Sequence, residues 1–459
     1  MGEKMNFKKD FIRVLNVNVL NLLIGIVTGF LLPAFLPIDQ YAYLKTFTLY
    51  LTYVGLLHFG YIDGLFLKYG GEHKNNINLR VLKGENLFFL YFQIVITGML
   101  LVIGIYLRDY ICIGIALCIL PINIQSLFKF FYQAIGEFKV YSRITLLAPS
   151  ITFIFNLCLI FYFKVDNFEF YVLANIACNY LIFIILELIF LKKQKDIKAI
   201  YNKDELIDNF RVGIFVMIGN FSSILFYTID RWFVKYYMDV RSFAFYSFAI
   251  SMMTVITVLI SAVTTTLYPY LARNKQLIKN NIRVYLQILG ALLSSSYFLF
   301  AFIVECFIAK YIESLSIISI LFVSFPAIIV INALYSNLYK LQRRQKKYFL
   351  TIFCVLVFNV LMNLLAIHIY AGIESIAIAT SISFYVWYIY SGREFKDMKS
   401  NIRESVFLIL YVILFLWCSL SMNTLLGGII YLIGILILIV ICFFSEVQKA
   451  IFLSRKNKG

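Results

Sequence analysis

Apolar runs of about 18 residues or more recur along almost the whole chain, each long enough for a helix to cross roughly 30 Å of hydrocarbon. No other feature narrows the fold as far. In lipid every backbone N–H and C=O must find a partner within the protein, which leaves only helices or closed β-barrels. Barrel strands alternate in character over about ten residues, and these runs do not. Composition agrees: 62% of residues are hydrophobic and 14% charged, against roughly 25% charged in an average soluble domain. An all-α, multi-pass membrane protein is expected.

Fourteen spans are predicted, near 11–36, 43–67, 84–107, 109–133, 144–164, 168–191, 210–238, 242–270, 284–309, 314–339, 348–370, 373–392, 405–421 and 425–445. The first follows the basic segment Met1 to Arg13. It is too long for a signal-peptide core and lacks a small-residue cleavage site, so it reads as a retained helix. Lys and Arg collect in loops that stay in the cytoplasm. With both termini inside, 34 of the 41 basic residues fall on inside segments; the exceptions are Lys45, Arg108, Lys164, Arg231, Lys235, Arg241 and Lys310. The net charge of +17 is thus mostly topology, which disfavours a nucleic-acid partner. All eight cysteines lie in predicted spans, with no CxxC and no accompanying histidine at metal spacing, so they read as packing residues. Neither a metal nor another cofactor is expected.

An internal repeat sets the organisation. Asp39 answers Asp239, Pro121 answers Pro326, and Phe155-Asn156 answers Phe358-Asn359, at offsets of about 200 residues. Six spans per repeat is an even number, so the two repeats run parallel, related by an axis along the membrane normal. The expected organisation is a six-helix lobe over 1–208, a second over 209–400, and two further helices with a cytoplasmic tail over 401–459. Pro121 and Pro326, each in mid-span, are candidate kinks.

Three of the seven misplaced bases sit together in FYTIDRWFVKYYMDVR (226–241). On a helix advancing 100° per residue, Asn220, Tyr227 and Arg231 fall within about 40° of one another, with Lys235 a further 40° on. Asp230 lies about 100° to the side, where it could pair with a neighbouring helix or restrain the cation. Intramembrane charge costs about 2.5–3.5 kcal/mol per residue, so such a stripe reads as cavity lining. The alternative is that Arg231 snorkels to the outer interface, with Trp232, Tyr236 and Tyr237 as an aromatic belt. Asn18, Asn21, Gly25 and Thr28 make a second polar face on span one, either cavity lining or interhelical hydrogen bonding. Span two carries His58 and Asp63, candidates for proton coupling, although a lone histidine is commonly a satisfied hydrogen-bonder. Gly60 and Gly64 form a GxxxG, a sign of close helix packing. No phosphate-cradling GxxxxGK[ST], no HExxH and no Ser/His/Asp set is present, so no catalytic residue is assigned.

LLHFGYIDGLFLKYGG (56–71) and TIDRWFVKYYMDVRSFAFYSFA (228–249) resemble the matching stretches of bacterial polysaccharide flippases, of the multidrug/oligosaccharidyl-lipid/polysaccharide exporter superfamily. The resemblance implies two six-helix lobes around a cavity that opens alternately to each side of the cytoplasmic membrane. It implies outward movement of undecaprenyl-diphosphate-linked sugar units for surface polysaccharide synthesis, with membrane lipids and the biosynthetic enzymes as partners. A diphosphate suits the guanidinium of Arg231, and a sugar chain suits amides, hydroxyls and aromatic faces. Relatives that flip the peptidoglycan precursor carry arginines inside helices one and two, whereas span one here has Asn18 and Asn21. Two other readings compete: a cation-coupled drug or metabolite antiporter of the same superfamily, and a membrane glycan polymerase or acyltransferase. The first needs clustered intramembrane acids, and Asp63, Asp230, Glu187 and Glu305 are scattered. The second needs a large outer loop, and every predicted outer loop is short.

Overall fold

The computed structural model describes residues 7–273, 280–395, 398 and 401–456; the expected cytoplasmic ends of the chain lie partly outside the described residues. Among these residues all regular structure is helical, and the chain divides into two compact units, Met1–Ile224 and Leu225–Gly459. The boundary lies within the seventh span, sixteen residues beyond the division expected from the repeat.

The first unit holds α1 (Phe7–Phe35), α2 (Ile38–Leu51), α3 (Tyr61–Tyr69), α4 (Leu79–Leu107), α5 (Tyr110–Ala134), α6 (Phe138–Leu157), α7 (Phe168–Lys193) and most of α8 (Lys203–Phe226). Asn78, Asp109 and Asn167 begin α4, α5 and α7, their side-chain oxygens accepting from backbone N–H groups at 3.1, 2.8 and 2.9 Å. α4 shows the inside-out pattern that lipid imposes. Tyr91, Val95, Met99 and Val102 face outward, while Asn86, Gln93 and Thr97 are buried.

The second predicted span is not one helix. Between α2 and α3 lies a 3₁₀ turn, Val54–His58, followed by Phe59 and Gly60 in left-handed conformation (φ 50° and 84°). A break at membrane depth frees backbone groups that need partners, and polar side chains from neighbouring helices supply them. Gln93 Nε2 donates to Leu57 O at 3.1 Å and Asn123 Nδ2 to Val54 O at 3.4 Å, while Gly60 N donates to His58 Nδ1 at 2.9 Å. Gly60 is needed twice over. Its φ is positive, and a Cβ there would stand 2.4 Å from Ile214 N on α8. Gly64 and Gly213 complete this close approach of α3 to α8; a Cβ on Gly213 would lie 1.9 Å from Gly60 O. Packing, not water exclusion, holds helices together in lipid, and small residues allow it.

The second unit holds α9 (Ile229–Tyr237), α10 (Val240–Arg273), α11 (Asn280–Ser294), α12 (Ser296–Phe307), α13 (Ser314–Phe322), α14 (Phe325–Val330), α15 (Ser336–Leu341), α16 (Gln345–Ile369), α17 (Ile373–Glu394), α18 (Ile402–Ser421) and α19 (Thr424–Lys456). The tenth span is bent by 43° between α13 and the helical run from Phe325 to Leu341. Pro326 stands at the start of α14, just past that bend, whereas Pro121 lies inside an unbroken α5. The paired kinks expected from the repeat are therefore unequal. Among the described residues twelve helices are long and apolar enough to cross a membrane, thirteen with the bent tenth span, in keeping with an expectation of about fourteen. It is an all-α, multi-pass membrane protein.

Candidate functional site

In the second unit, Asp230 is buried in the first turn of α9, where the helix N-terminus favours a carboxylate. Its Oδ2 accepts from Tyr246 Oη of α10 at 2.8 Å and its Oδ1 from the Arg231 backbone N–H at 2.7 Å. The expected partner on a neighbouring helix thus exists, and it is a tyrosine. The other expectation of geometry changes. α8 ends at Phe226 and α9 starts at Ile229, so Asn220 and Arg231 do not lie on one continuous helix, and the single stripe is interrupted at Tyr227 and Thr228. Neither glycine nor proline marks this break, which is why helical spacing ran through it.

Asn220 belongs to the first unit, where it is exposed on α8. Tyr227 belongs to the second. Its hydroxyl donates to Asn332 Oδ1 at 3.3 Å, and its ring packs beside Phe384 and Trp387. Arg231 and Lys235 remain one turn apart on α9, both half-buried. Lys235 Nζ lies 5.7 Å from the centre of the Phe243 ring, and Arg241 pairs with Glu313 at 2.7 Å. Trp232 stacks on Tyr236 with ring centres 5.7 Å apart, and Tyr236 and Tyr237 are exposed, an arrangement that suits an aromatic belt.

In the first unit, His58 and Asp63 come together at the broken second span, with Nε2 3.7 Å from Asp63 Oδ2 and both residues buried. Because His58 Nδ1 accepts the Gly60 N–H, a neutral ring carries its proton on Nε2, facing the carboxylate. The histidine is thereby also a structural partner of the break.

Span one divides. Asn18 is exposed, whereas Asn21, Gly25 and Thr28 line a pocket of about 580 Å³ inside the first unit. The pocket is open on one side and bounded by α5, α6 and α7, which bring Gln125, Lys129, Asn156 and Asn179 to the same space. Gln125 Nε2 donates to Asn179 O and Oδ1 at 2.9 and 3.1 Å, and Asn179 Nδ2 donates to Asn175 O and Oδ1 at 2.8 and 3.0 Å. These four residues were not legible as a site: Lys129 is absorbed by the count of inside charges, and Asn156 enters only as a mark of the repeat. Among the described residues, no group of three or more His, Cys, Asp and Glu is arranged to hold a metal ion.

Neither a family model nor a curated protein matches the sequence. Solved structures do match. The lipid II flippase MurJ, in an inward closed conformation, aligns over 95% of this chain and 99% of its own with a TM-score of 0.65 and 12% identity. An inward-facing multidrug resistance MATE family transporter aligns over 82% of this chain and 98% of its own, with a TM-score of 0.51 and 12% identity. An outward-facing MATE transporter aligns over 83% and 93%, with a TM-score of 0.50 and 14% identity. At such identities the likeness concerns fold alone: the chain has the fold of the MOP-superfamily transporters, MurJ and the MATE proteins among them.

Proposed function

We propose that the chain is a flippase that moves undecaprenyl-diphosphate-linked oligosaccharide units from the inner to the outer leaflet of the bacterial cytoplasmic membrane, by alternating access, and that it is not an enzyme. The observation that carries this reading is the near full-length match to a lipid II flippase. Lipid II is itself a lipid-linked saccharide, and the amide-lined pocket of the first unit suits a sugar. The absence of carboxylates among the described residues lining that pocket tells against the cation antiporter. In this reading 1–208 and 209–400 are the repeated lobes, both termini are cytoplasmic, and the surface-polysaccharide enzymes are partners. Arg231, helped by Lys235, meets the diphosphate, while Asp230 restrains the cation when no substrate is bound; Asn18, Asn21, Asn220 and Tyr227 serve the sugar; and His58 with Asp63 is the coupling candidate. An inside-negative potential assists outward anion movement by about 2.3 kcal/mol per charge per 100 mV, so a cation near the outer end receives the head group.

Deleting the gene is expected to remove surface polysaccharide and to leave lipid-linked units on the inner leaflet. Arg231→Gln is expected to abolish export at normal protein level, and Arg231→Lys to restore part of it, since an ammonium keeps the charge and loses the planar fork. Normal export by Arg231→Gln at equal abundance would return this segment to an interfacial anchor.

A further inference from the structure

The pocket of the first unit contains two kinds of polar group. The Gln125, Asn179 and Asn175 amides bond to one another and make a fixed wall. Three others line the space outside that wall. Asn156, only 5% exposed, makes no side-chain hydrogen bond to another described residue. Asn21 Oδ1 is buried without one as well. Lys129, half-buried on α5, has no carboxylate within ion-pair distance among the described residues, and it is the one charged side chain lining the space. Of these, Asn21 Oδ1 is a buried atom without a hydrogen-bond partner among the described residues, which costs free energy unless something polar meets it, while Asn156 and Lys129 line the same space.

Its size, about 580 Å³, lies within the range of about 300–1,000 Å³ typical of small-molecule sites. The donor set defines the chemistry. Amides and the hydroxyls of Thr28 and Thr152 recognise hydroxyl groups, and Phe153 offers an apolar face to ring C–H groups. A single ammonium balances a single negative charge. A diphosphate would call for several cations or a guanidinium fork, which this pocket lacks.

We propose that this pocket is a subsite for an acidic sugar of the uronic-acid class, its carboxylate on Lys129 Nζ and its hydroxyls on Asn156 and Asn21. Binding of the sugar acid stands on the pocket alone. Its identity as a unit of the carried saccharide rests on the flippase reading.

The test uses the purified full-length protein in lipid nanodiscs, with D-glucuronate and D-glucose titrated calorimetrically. Glucuronate is expected to bind at least 10-fold more tightly than glucose. Lys129→Gln should bring glucuronate down to the level of glucose, and Lys129→Arg should keep the preference. Asn156→Leu should weaken both sugars, with Asn156→Ser as a gentler variant if the leucine unfolds the protein. Equal binding of the two sugars by the native chain, binding of neither, or a preference unchanged in Lys129→Gln overturns the proposal. A second arm adds a lipid-linked saccharide bearing a terminal uronate. Displacement of glucuronate supports the subsite. Glucuronate binding without displacement leaves the sugar-acid pocket in place and removes its link to transport. Loss of export in Arg231→Gln with glucuronate binding intact keeps the two readings separate.

Discussion

Replacing Gly213 by alanine tests the contact between α3 and α8 directly. The added methyl would stand 1.9 Å from Gly60 O, 2.5 Å from Gly64 N and 2.8 Å from Gly60 C, all backbone atoms that cannot rotate away. Relief requires a retreat of about 1.5 Å, the difference between 1.9 Å and the 3.4 Å of ordinary contact. The retreat would also pull on the left-handed turn at Phe59 and Gly60. Overpacking of this kind costs about 1–3 kcal/mol. The control is Gly219→Ala on the same helix, where nothing lies within 4 Å of the new methyl; there alanine should be neutral or stabilising by a few tenths of a kcal/mol to about 1 kcal/mol. At about 2–4 °C per kcal/mol for a unit of this size, Gly213→Ala should melt roughly 2–12 °C below the native protein. Detergent-purified protein followed by a thiol-reactive dye, which reports exposure of the buried Cys118 and Cys178 of the first unit, at one fixed scan rate, gives the comparison. Equal melting of Gly213→Ala and Gly219→Ala would refute the close approach.

In the second unit, Arg283 and Glu404 are buried and doubly bonded at 2.7 and 2.8 Å. Arg283→Ala should therefore cost about 3–5 kcal/mol, and the pair Arg283→Met with Glu404→Leu should recover much of it, read from the same melts. Asp239 begins α10, its Oδ1 accepting from Ser242 N at 2.8 Å, and that contact with Ser242 holds its carboxyl below the ordinary carboxylate range. A depressed pKa stabilises the fold above the unfolded value and ceases to do so as pH falls through the folded one. Asp239→Ala should thus be less stable at neutral pH by about 0.5–2 kcal/mol, and the gap should close in acid below the usual carboxylate pKa. In a cysteine-free background, cysteines at positions 195 and 344 should resist an impermeant thiol reagent in intact cells while one at position 108 reacts; ready labelling at 195 or 344 would invert the topology.

The fold was legible because lipid admits few solutions: apolar length gave the helices, and polar side chains within them pointed inward, as Gln93 and Asn86 do on α4. Breaks were less legible. Gly60, read with Gly64 as a sign of close helix packing, also carries a left-handed turn that breaks the second span, and the interruption at Tyr227 and Thr228 carries no glycine or proline and depends on tertiary contacts such as Tyr227 to Asn332. The face of Asn21, Gly25 and Thr28 followed from helical spacing alone. Its partners did not, because Lys129, Asn156 and Asn179 come from three other helices, and no local pattern brings 21 near 156.

The Arg283 to Glu404 bond joins residues 121 positions apart, and this separation has a price in time. At about 5–20 residues per second of synthesis, the guanidinium waits roughly 6–24 s before its carboxylate leaves the ribosome. During that interval the half-made second unit carries a cation destined for burial and no internal acceptor for it from α18. Water or anionic lipid head groups at the membrane surface must hold it meanwhile, and the last two helices then act as a late closing step of assembly. A chain cut short after α17 would remain in the earlier state, recognisable to the quality-control proteases of the membrane by a charge that the finished protein hides completely.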